Sequence, residues 1–365
     1  MFKKIILLAL VLVIAAVVPL VTACGGGGGG GTPNPNSDVV SVALDKVLPQ
    51  KAGMLAGLSV EKILGDKDIA NLYNTLVKDN LNGDPSVPQT FDALLAKFQA
   101  ETGLNLKDFQ LVEAFGDISA LTQLTSNDGP DLNTDYLGAI VTGTFTNENI
   151  VAAIQKGTGT TLTSTPYGGY PVYVIEPGEA NASMTFLGKG VMVIGSSAAV
   201  KDVIDNKNSG KSNANWDLLQ TYGRLGDVMF KVAVKIPDDW TAKIPVQQDV
   251  SGLGSIDLKP FKSAKLGGLA ANKVGGTSSL EVRVGFPDSS TATTAKQSVD
   301  NFLTMIKGLL QFAGGSVPQA ADIGKVLNAT VISTRSEVLS LRIELTTAQI
   351  EDVAPLLKGF VGSGQ

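Results

Sequence analysis

Residues 161–194 read TLTSTPYGGYPVYVIEPGEANASMTFLGKGVMVI and contain four short apolar runs separated by turn residues. The first two runs are separated by residues 166–169, and the last two by Gly188-Lys189-Gly190. Short turns rich in glycine indicate β-hairpins, because glycine adopts the positive φ angles that tight turns require. The pattern predicts an antiparallel meander with strands at residues 161–165, 170–175, 183–187 and 191–194.

Helical patterns precede and follow this meander. Apolar residues three and four apart begin after Thr146-Asn147, either of which can cap a helix. Ser196-Ser197 can cap another helix, which extends through Val203-Ile204. The same reasoning predicts further elements upstream: helices at residues 68–81 and 91–98, the second between a Thr90 cap and a Gly103 terminator, and strands at residues 111–121 and 136–145.

The second half of the chain repeats this order. It predicts a hairpin around Gly275-Gly276 with strands at residues 266–272 and 278–286, and a long helix after Pro287. A further hairpin is predicted at residues 326–333 and 338–345, followed by a helix that Thr346-Thr347 can cap.

Each half also contains a strand that ends on a phenylalanine and leads into a helix. The two segments are Thr142-Gly143-Thr144-Phe145-Thr146 and Arg283-Val284-Gly285-Phe286-Pro287. We therefore predict an α+β fold made of a duplicated unit of antiparallel sheet with helices packed on one face. The predicted repeats are residues 38–225 and 226–365.

Three segments of the first half resemble uncharacterised exported bacterial proteins of a domain-of-unknown-function family. They are residues 167–173 (YGGYPVY), 191–197 (VMVIGSS) and 200–205 (VKDVID), and the likeness extends by pattern over residues 90–357. That family also repeats a helix-plus-meander unit, so the resemblance implies the duplicated fold. It implies no activity, because the family has none assigned.

The first 24 residues have the organisation of an export signal. Lys3 and Lys4 precede an uncharged run that ends in Val21-Thr22-Ala23-Cys24, and small residues before a cleavage point are what a signal peptidase accepts. The segment resembles the lipobox of bacterial lipoprotein precursors. This resemblance implies removal of residues 1–23 by cleavage between Ala23 and Cys24, a diacylglyceryl group on the Cys24 thiol, and a fatty acid such as palmitate on the new amino terminus.

An uncleaved transmembrane helix is the alternative, since an apolar run of about 19 residues is just long enough to span a bilayer. Pro19 near the end of the run and the flexible segment after Cys24 favour cleavage instead. Residues 24–37 contain seven consecutive glycines followed by a Pro/Asn stretch, and they predict a tether with a reach of roughly 20 Å. We expect an extracytoplasmic protein held by lipid on the cell membrane or the outer membrane.

The composition excludes several kinds of active site. The chain of 365 residues contains no histidine, and Cys24 is its only cysteine. Zinc or copper sites built on these residues, Ser-His-Asp and Cys-His catalysis, and a disulfide within one chain are therefore excluded. A formal charge of −5 without a basic cluster argues against nucleic acid. We expect a protein without a cofactor, without a nucleic-acid partner and without enzymatic activity.

A loop at residues 126–135 is a weak candidate for a metal site. It supplies Asp128, Asp131 and Asp135, whose carboxylates are the ligands that calcium prefers. Its spacing departs from the EF-hand pattern, and its residues are also common turn formers. We interpret the loop as a turn and predict neither a metal nor a catalytic residue.

Three other motifs are interpreted as structural. Gly210-Lys211-Ser212 lacks the earlier glycine and the preceding strand of a phosphate-binding loop, and is predicted to be an exposed turn. Asp238-Asp239-Trp240 is predicted to lie on a loop, where adjacent carboxylates do not face each other as acid/base catalysis requires. Trp216 is predicted to help pack a helix onto the core.

The leading functional interpretation is a lipid-anchored, non-enzymatic protein that binds a partner protein or a ligand, which the sequence does not identify. Many apolar and weakly polar strand residues would allow an apolar cavity between sheet and helices, and hence a carrier or chaperone of an apolar ligand. Two alternatives remain open. One is a structural or assembly protein of the cell surface, and the other is a hydrolase that works without histidine.

Overall fold

The structure is a computed structural model that describes residues 42–80, 88–118, 135–175, 182–212, 214–250, 254–313 and 320–350. These residues belong to two compact units, which we call unit 1 (up to Gln220) and unit 2 (from Thr221). The repeat boundary predicted after residue 225 stays a prediction, because compact packing alone does not show that either unit folds by itself.

Within the described residues, unit 1 holds seven strands. They are β1 (Met54–Ser59), β2 (Phe109–Gly116), β3 (Leu137–Gly143), β4 (Ser164–Tyr167), β5 (Tyr170–Ile175), β6 (Ala182–Gly188) and β7 (Val191–Gly195). Each pairs antiparallel with its neighbours in the order β1-β2-β3-β7-β6-β5-β4. The predicted meander is confirmed as the four strands from β4 to β7.

The helices described in unit 1 are mostly amphipathic. They are α1 (Leu44–Val47), α2 (Val60–Gly65), α3 (Lys67–Asn80), α4 (Phe91–Thr102), α5 (Asn147–Thr158) and α6 (Ser197–Ser209). A further helix, α7 (Trp216–Arg224), begins in unit 1 and ends in unit 2. A short 3₁₀ turn, Leu106–Asp108, precedes β2.

Polar caps begin α4, α5 and α6 at residues that the sequence indicates. The hydroxyls of Thr90, Thr146 and Ser196 each accept a hydrogen bond from the backbone N–H three residues later. Gly103 ends α4 in the left-handed conformation, at a φ of 80°, which costs glycine little because it has no Cβ. These predicted helix ends are confirmed.

The central strands of unit 1 are buried on both faces. On one face, Val141 of β3 and Met192 of β7 pack with Ile150 of α5. Side chains alternate along a strand, so the fully buried Ile140 and Val193 lie on the opposite face. Helix α6 contacts β3, β6 and β7, and none of its side chains belongs to the first cluster, which places it over that opposite face. The sheet of unit 1 is therefore covered more extensively than the sequence alone indicates.

Unit 2 also holds seven strands within the described residues. They are β8 (Phe230–Lys235), β9 (Gln247–Val250), β10 (Gly254–Asp257), β11 (Leu266–Val274), β12 (Thr277–Gly285), β13 (Thr330–Arg335) and β14 (Val338–Thr346). β9 and β10 form a separate antiparallel pair. The others pair antiparallel in the order β8-β11-β12-β14-β13.

The helices described in unit 2 are α8 (Asp238–Lys243), α9 (Ser289–Ala313) and α10 (Ala320–Ala329), with a 3₁₀ turn at Lys259–Ser263. Residues 347–350 are also helical. The Thr346 hydroxyl accepts a hydrogen bond from the Gln349 N–H at 3.3 Å, and the Gln349 side chain accepts one from the Thr346 N–H at 2.9 Å. This reciprocal pair is a capping box, and it confirms the cap predicted at Thr346.

One core cluster of unit 2 lies where α9 crosses the ends of β12 and β14. Phe286 and Leu339 are buried there against Ala292 and Ala295 of α9. Alanine has a short side chain, so this half of α9 can approach the sheet closely. The result is a small core at one end of the strands.

Both units build the same five-strand arrangement. In each unit, one strand (β1 or β8) lies beside an antiparallel pair (β2–β3 or β11–β12). A helix then leads to a second antiparallel pair (β6–β7 or β13–β14), and the last strand of that pair lies beside the first pair. β4 and β5 are present only in unit 1. Phe145 and Phe286 occupy equivalent positions, since each is buried directly after the strand that leads into the helix. The predicted α+β class, with an antiparallel sheet covered by helices, is confirmed.

Two predicted strands are wrong in their limits. Residues 326–329 were assigned to a strand but belong to α10, because Ile323, Val326 and Leu327 continue a helical spacing. The first strand of the meander begins at Ser164 rather than at residue 161. It ends at Tyr167, so the turn that follows it is shorter than the predicted turn at residues 166–169. Pro166 lies inside β4, where a proline is tolerated because β4 is an edge strand that needs no N–H on its open side.

Other limits differ by a few residues. The strand predicted at 111–121 is Phe109–Gly116, and residues 119–121 lie outside the described residues. β1 and β8 were not predicted. Each pairs with a strand that is distant in sequence, so no local hairpin signal accompanies it.

Candidate ligand-binding face

The predicted lipidation and metal positions lie largely outside the described residues. This holds for the cleavage and lipidation residues Ala23 and Cys24, and for Asp128 and Asp131 of the candidate metal loop. Asp135 is described and half-buried at the start of the segment that leads into β3. Over residues 42–350, where described, no group of three or more His, Cys, Asp or Glu side chains is arranged to hold a metal ion.

Asp238 and Asp239 lie on α8 and not on a loop, which corrects the sequence interpretation. Asp238 pairs with Lys265 at 2.7 Å, and Asp239 pairs with Lys243 at 3.4 Å. The hydrogen bond and the charge of Lys265 hold the pKa of Asp238 below its ordinary value. Each carboxylate thus has its own lysine, so the two do not form an acid/base pair.

The structure corrects the prediction for Trp216 and gives Gly210 a structural role. Trp216 was expected to pack on the core, but its side chain is 61% exposed, whereas Leu218 of the same helix is fully buried. Gly210 ends α6 at a φ of 63°. Lys211 and Ser212 follow as exposed residues, as the sequence predicts.

A buried tyrosine joins α6 to the sheet of unit 1. The Tyr136 hydroxyl donates a hydrogen bond to Asp202, and the Lys51 ammonium pairs with the same Asp202 oxygen at 2.7 Å. Lys51 also lies 4.0 Å from the centroid of the Tyr136 ring. All three polar groups satisfy one another, so we interpret the cluster as a structural link.

A similar contact fixes the tip of the β4–β5 hairpin. The Tyr167 hydroxyl donates to Asp205 at 2.9 Å, and the Asn208 side chain donates to the Gly168 carbonyl at 2.7 Å. Gly168 has a φ of 55°, which the tight turn requires. Helix α6 therefore holds both the hairpin and the start of β3.

The most distinctive surface of unit 2 is an apolar sheet face, defined by strand register. Leu269, Val282 and Leu341 are directly paired across β11, β12 and β14, and Leu280 pairs with Ile343 in the next row. Side chains in register on neighbouring strands point to the same side of a sheet. We call these five residues the unit 2 apolar face.

Helix α9 lies on the same side of the sheet as this face. Val284 and Leu339 continue its alternation along β12 and β14, and both pack with Ala292 and Ala295 of α9. Among the strands, α9 contacts mainly β10, β13 and β14, and α10 contacts β13 and β14. The positions on β11 and β12 are therefore less covered than those on the outer strands.

Burial of the unit 2 apolar face is incomplete. Val282 is 37% exposed, and its four companions are only half-buried, although Phe286 and Leu339 at the end of the same strands are buried. Burial of a valine or leucine side chain is worth about 1.5–3 kcal/mol. A contiguous apolar surface that remains partly exposed beside helices is the kind of surface on which an apolar ligand can bind.

The opposite side of this sheet has a different character. Val331 lies there, since it pairs with Arg342 rather than with Leu341, and it is 61% exposed on the edge strand β13. Glu281 and Arg283 form an ion pair at 2.6 Å on the same side. The two sides of the sheet therefore differ in chemistry, with an apolar row on one side and a mostly buried ion pair on the other.

No family model and no curated protein matches the chain. Solved structures of TP0453 in crystal forms III and IV have TM-scores of 0.41 and 0.42, with 8% and 10% sequence identity. Each covers 86% of this chain, and the matched parts are 99% and 95% of those chains.

Among the helices that the structure describes, none is both long enough and apolar enough to cross a membrane.

Proposed function

We propose that this protein is a lipid-anchored extracytoplasmic binding protein that holds an apolar ligand against the unit 2 apolar face. The observation that carries the proposal is the exposure of Val282 within an apolar row shared by three strands. The lipobox at residues 21–24 supports the location outside the cytoplasm.

The chemistry of the face favours an apolar ligand. Its five members are valine, leucine and isoleucine, so it offers contact area but no side-chain hydrogen bonds. A ligand bound there gains free energy from the removal of apolar surface from water, at about 25 cal/mol per Å². We therefore infer a carrier or chaperone role for the protein, and no chemical reaction.

A fluorescent apolar probe tests the proposal on the purified full chain. N-phenyl-1-naphthylamine should bind with increased emission, and Val282→Asn should weaken this binding about tenfold because a polar group replaces apolar contact area. Val331→Asn is the matched control, since it makes the same change on the opposite side of the sheet. Equal binding by both variants and the unchanged protein would contradict the proposal.

A cell-surface assembly role is a second candidate, and β13 favours it. Among the described strands, β13 pairs with β14 alone, and it carries the exposed Val331, so its other edge could accept a strand from another protein. Proline substitution at Val331 would block such pairing. Cross-linking in whole cells should then lose a specific product if assembly depends on this edge.

A further inference from the structure

The short helix α8 carries an exposed apolar surface. Trp240 is 41% exposed, and Val246, just beyond the helix, is 57% exposed. The chain has only two tryptophans, and the other is Trp216. Tryptophan side chains are usually buried in a protein core or in an interface. They are also enriched where a protein contacts the headgroup region of a membrane.

Lysines surround this helix at close range. Lys262 donates hydrogen bonds to the carbonyls of Ala242 and Ile244, at 3.1 and 2.8 Å. Lys243 and Lys265 bind the two aspartates of the first turn. A helix of six residues is only about 9 Å long, so three ammonium groups lie within one short segment.

The local charge is opposite in sign to that of the whole chain. Residues 235–246 and 259–265, which we call the Trp240 patch, hold five lysines and two aspartates, and the intervening residues 247–258 add Asp249 and Asp257, so the whole segment keeps one net positive charge. The complete chain has 29 basic and 34 acidic residues. Lys235 and Lys259 of the patch are exposed, so the positive charge is accessible.

We propose that the Trp240 patch contacts the anionic lipid bilayer to which Cys24 anchors the chain. Indole side chains partition to the interface, and each lysine near an anionic surface adds electrostatic attraction within a Debye length. The proposal rests on the anchoring part of the proposed function, because the anchor supplies the high local concentration of lipid. It is independent of the apolar ligand.

The Trp216 side chain is a built-in control for simple proximity to the membrane. It is more exposed than Trp240, but residues 210–222 around it hold only one lysine and one aspartate. A flexible tether leaves the orientation of the chain on the bilayer free, so it favours neither tryptophan by itself. Only a specific contact between the Trp240 patch and the bilayer would place Trp240, and not Trp216, in the lipid interface.

The test uses the full chain purified from its native membrane and reconstituted in vesicles of phosphatidylcholine and phosphatidylglycerol that carry brominated acyl chains. Trp216→Phe reports on Trp240 alone, and Trp240→Phe reports on Trp216 alone. We expect bromine to quench Trp240 strongly and to shift its emission to shorter wavelength, with Trp216 unchanged. Equal quenching of the two, or none, overturns the proposal.

Charge dependence provides the second measurement. In the Trp216→Phe background, Lys259→Gln should lower the ratio of docked to undocked Trp240 about fivefold, and vesicles of phosphatidylcholine alone should lower it further. Lys189→Gln, in the exposed β6–β7 turn, should have no effect. If the quenching of Trp240 is the same with Lys259→Gln and in vesicles without anionic lipid as in the original sample, the proposal is overturned.

Intact-mass analysis of the same sample separates this proposal from the anchoring it rests on. A chain without acyl groups contradicts the anchoring, and in that case the protein is mixed with the same vesicles and the Trp240 comparison is made as before. A fully acylated chain with unquenched Trp240 contradicts the membrane contact alone.

Discussion

The hydroxyl of Tyr136 lies 2.9 Å from a carboxylate oxygen of Asp202, which is 66 residues further along the chain. Tyr136 precedes β3, and Asp202 lies in the second turn of α6, so this hydrogen bond joins the helix to the sheet. Burial is the largest cause that raises the pKa of Tyr136 above its ordinary value of 10, and the hydrogen bond and negative charge of Asp202 raise it further.

With Tyr136→Phe, the free energy of unfolding should therefore decrease less steeply as the pH rises above about 10. In the unchanged protein the unfolded chain releases the Tyr136 proton above about pH 10, while the folded chain keeps it, so the free energy of unfolding falls as pH rises. Urea unfolding at several pH values between about 9 and 11 measures the slope. Tyr170→Phe is the control, because it makes the same change at a half-buried tyrosine of β5, and its slope should match the unchanged protein.

Gly143→Ala should destabilise unit 1 by about 3 kcal/mol, through overpacking against backbone that cannot move aside. A Cβ at Gly143 would overlap the Asp108 carbonyl oxygen, which already accepts a hydrogen bond from Thr144. Gly188→Ala is a matched change, since a Cβ there meets nothing within 4 Å. Similar midpoints of urea unfolding for the two variants would refute the close approach.

Ser196→Ala should lower the free energy of unfolding by about 1 kcal/mol, the usual value of a helix cap. The Ser196 hydroxyl accepts from the Ala199 N–H at the start of α6 and is buried, so water does not replace it. Ser197→Ala changes the next residue, which is exposed and already helical, and should have little effect. Thermal unfolding followed by circular dichroism compares the two; a larger loss for Ser197→Ala would show that the cap is assigned to the wrong serine.

Cys24→Ala should abolish incorporation of an alkyne-labelled palmitate in growing cells and leave the precursor at its full mass, because the proposed anchoring requires this thiol as the acceptor of the lipid. Thr22→Ser keeps a small residue before the cleavage point and should be labelled normally. Labelling of the Cys24→Ala chain would contradict the anchoring.

Local chemistry was sufficient for much of the fold. Hairpins around Gly188-Lys189-Gly190 and Gly275-Gly276, and helix starts at Thr90, Thr146 and Ser196, follow from the conformational freedom of glycine and from hydroxyl caps. These interactions span a few residues, so the sequence pattern contains all that they need.

The candidate site was only partly predictable. An apolar cavity between sheet and helices was expected, whereas the proposed site is an apolar sheet face. The position of this face depends on which side of β12 faces α9. If β12 were shifted by one residue relative to β14, so that Val282 no longer paired with Leu341, every side chain of the shifted strand would move to the other side of the sheet. That register is set by contacts between segments far apart in the chain, and the same is true of β1 and β8.

By itself, the sequence determined the α+β class, the hairpin turns, the helix caps and the lack of histidine chemistry, because each depends on residue type and short spacing. Only the tertiary structure decided that Val282 is half-exposed in an apolar row, that Trp216 faces solvent and that Asp238 and Asp239 are each held by a separate lysine. Exposure and charge pairing are properties of neighbours brought together by folding, and distant neighbours leave no mark on the local pattern.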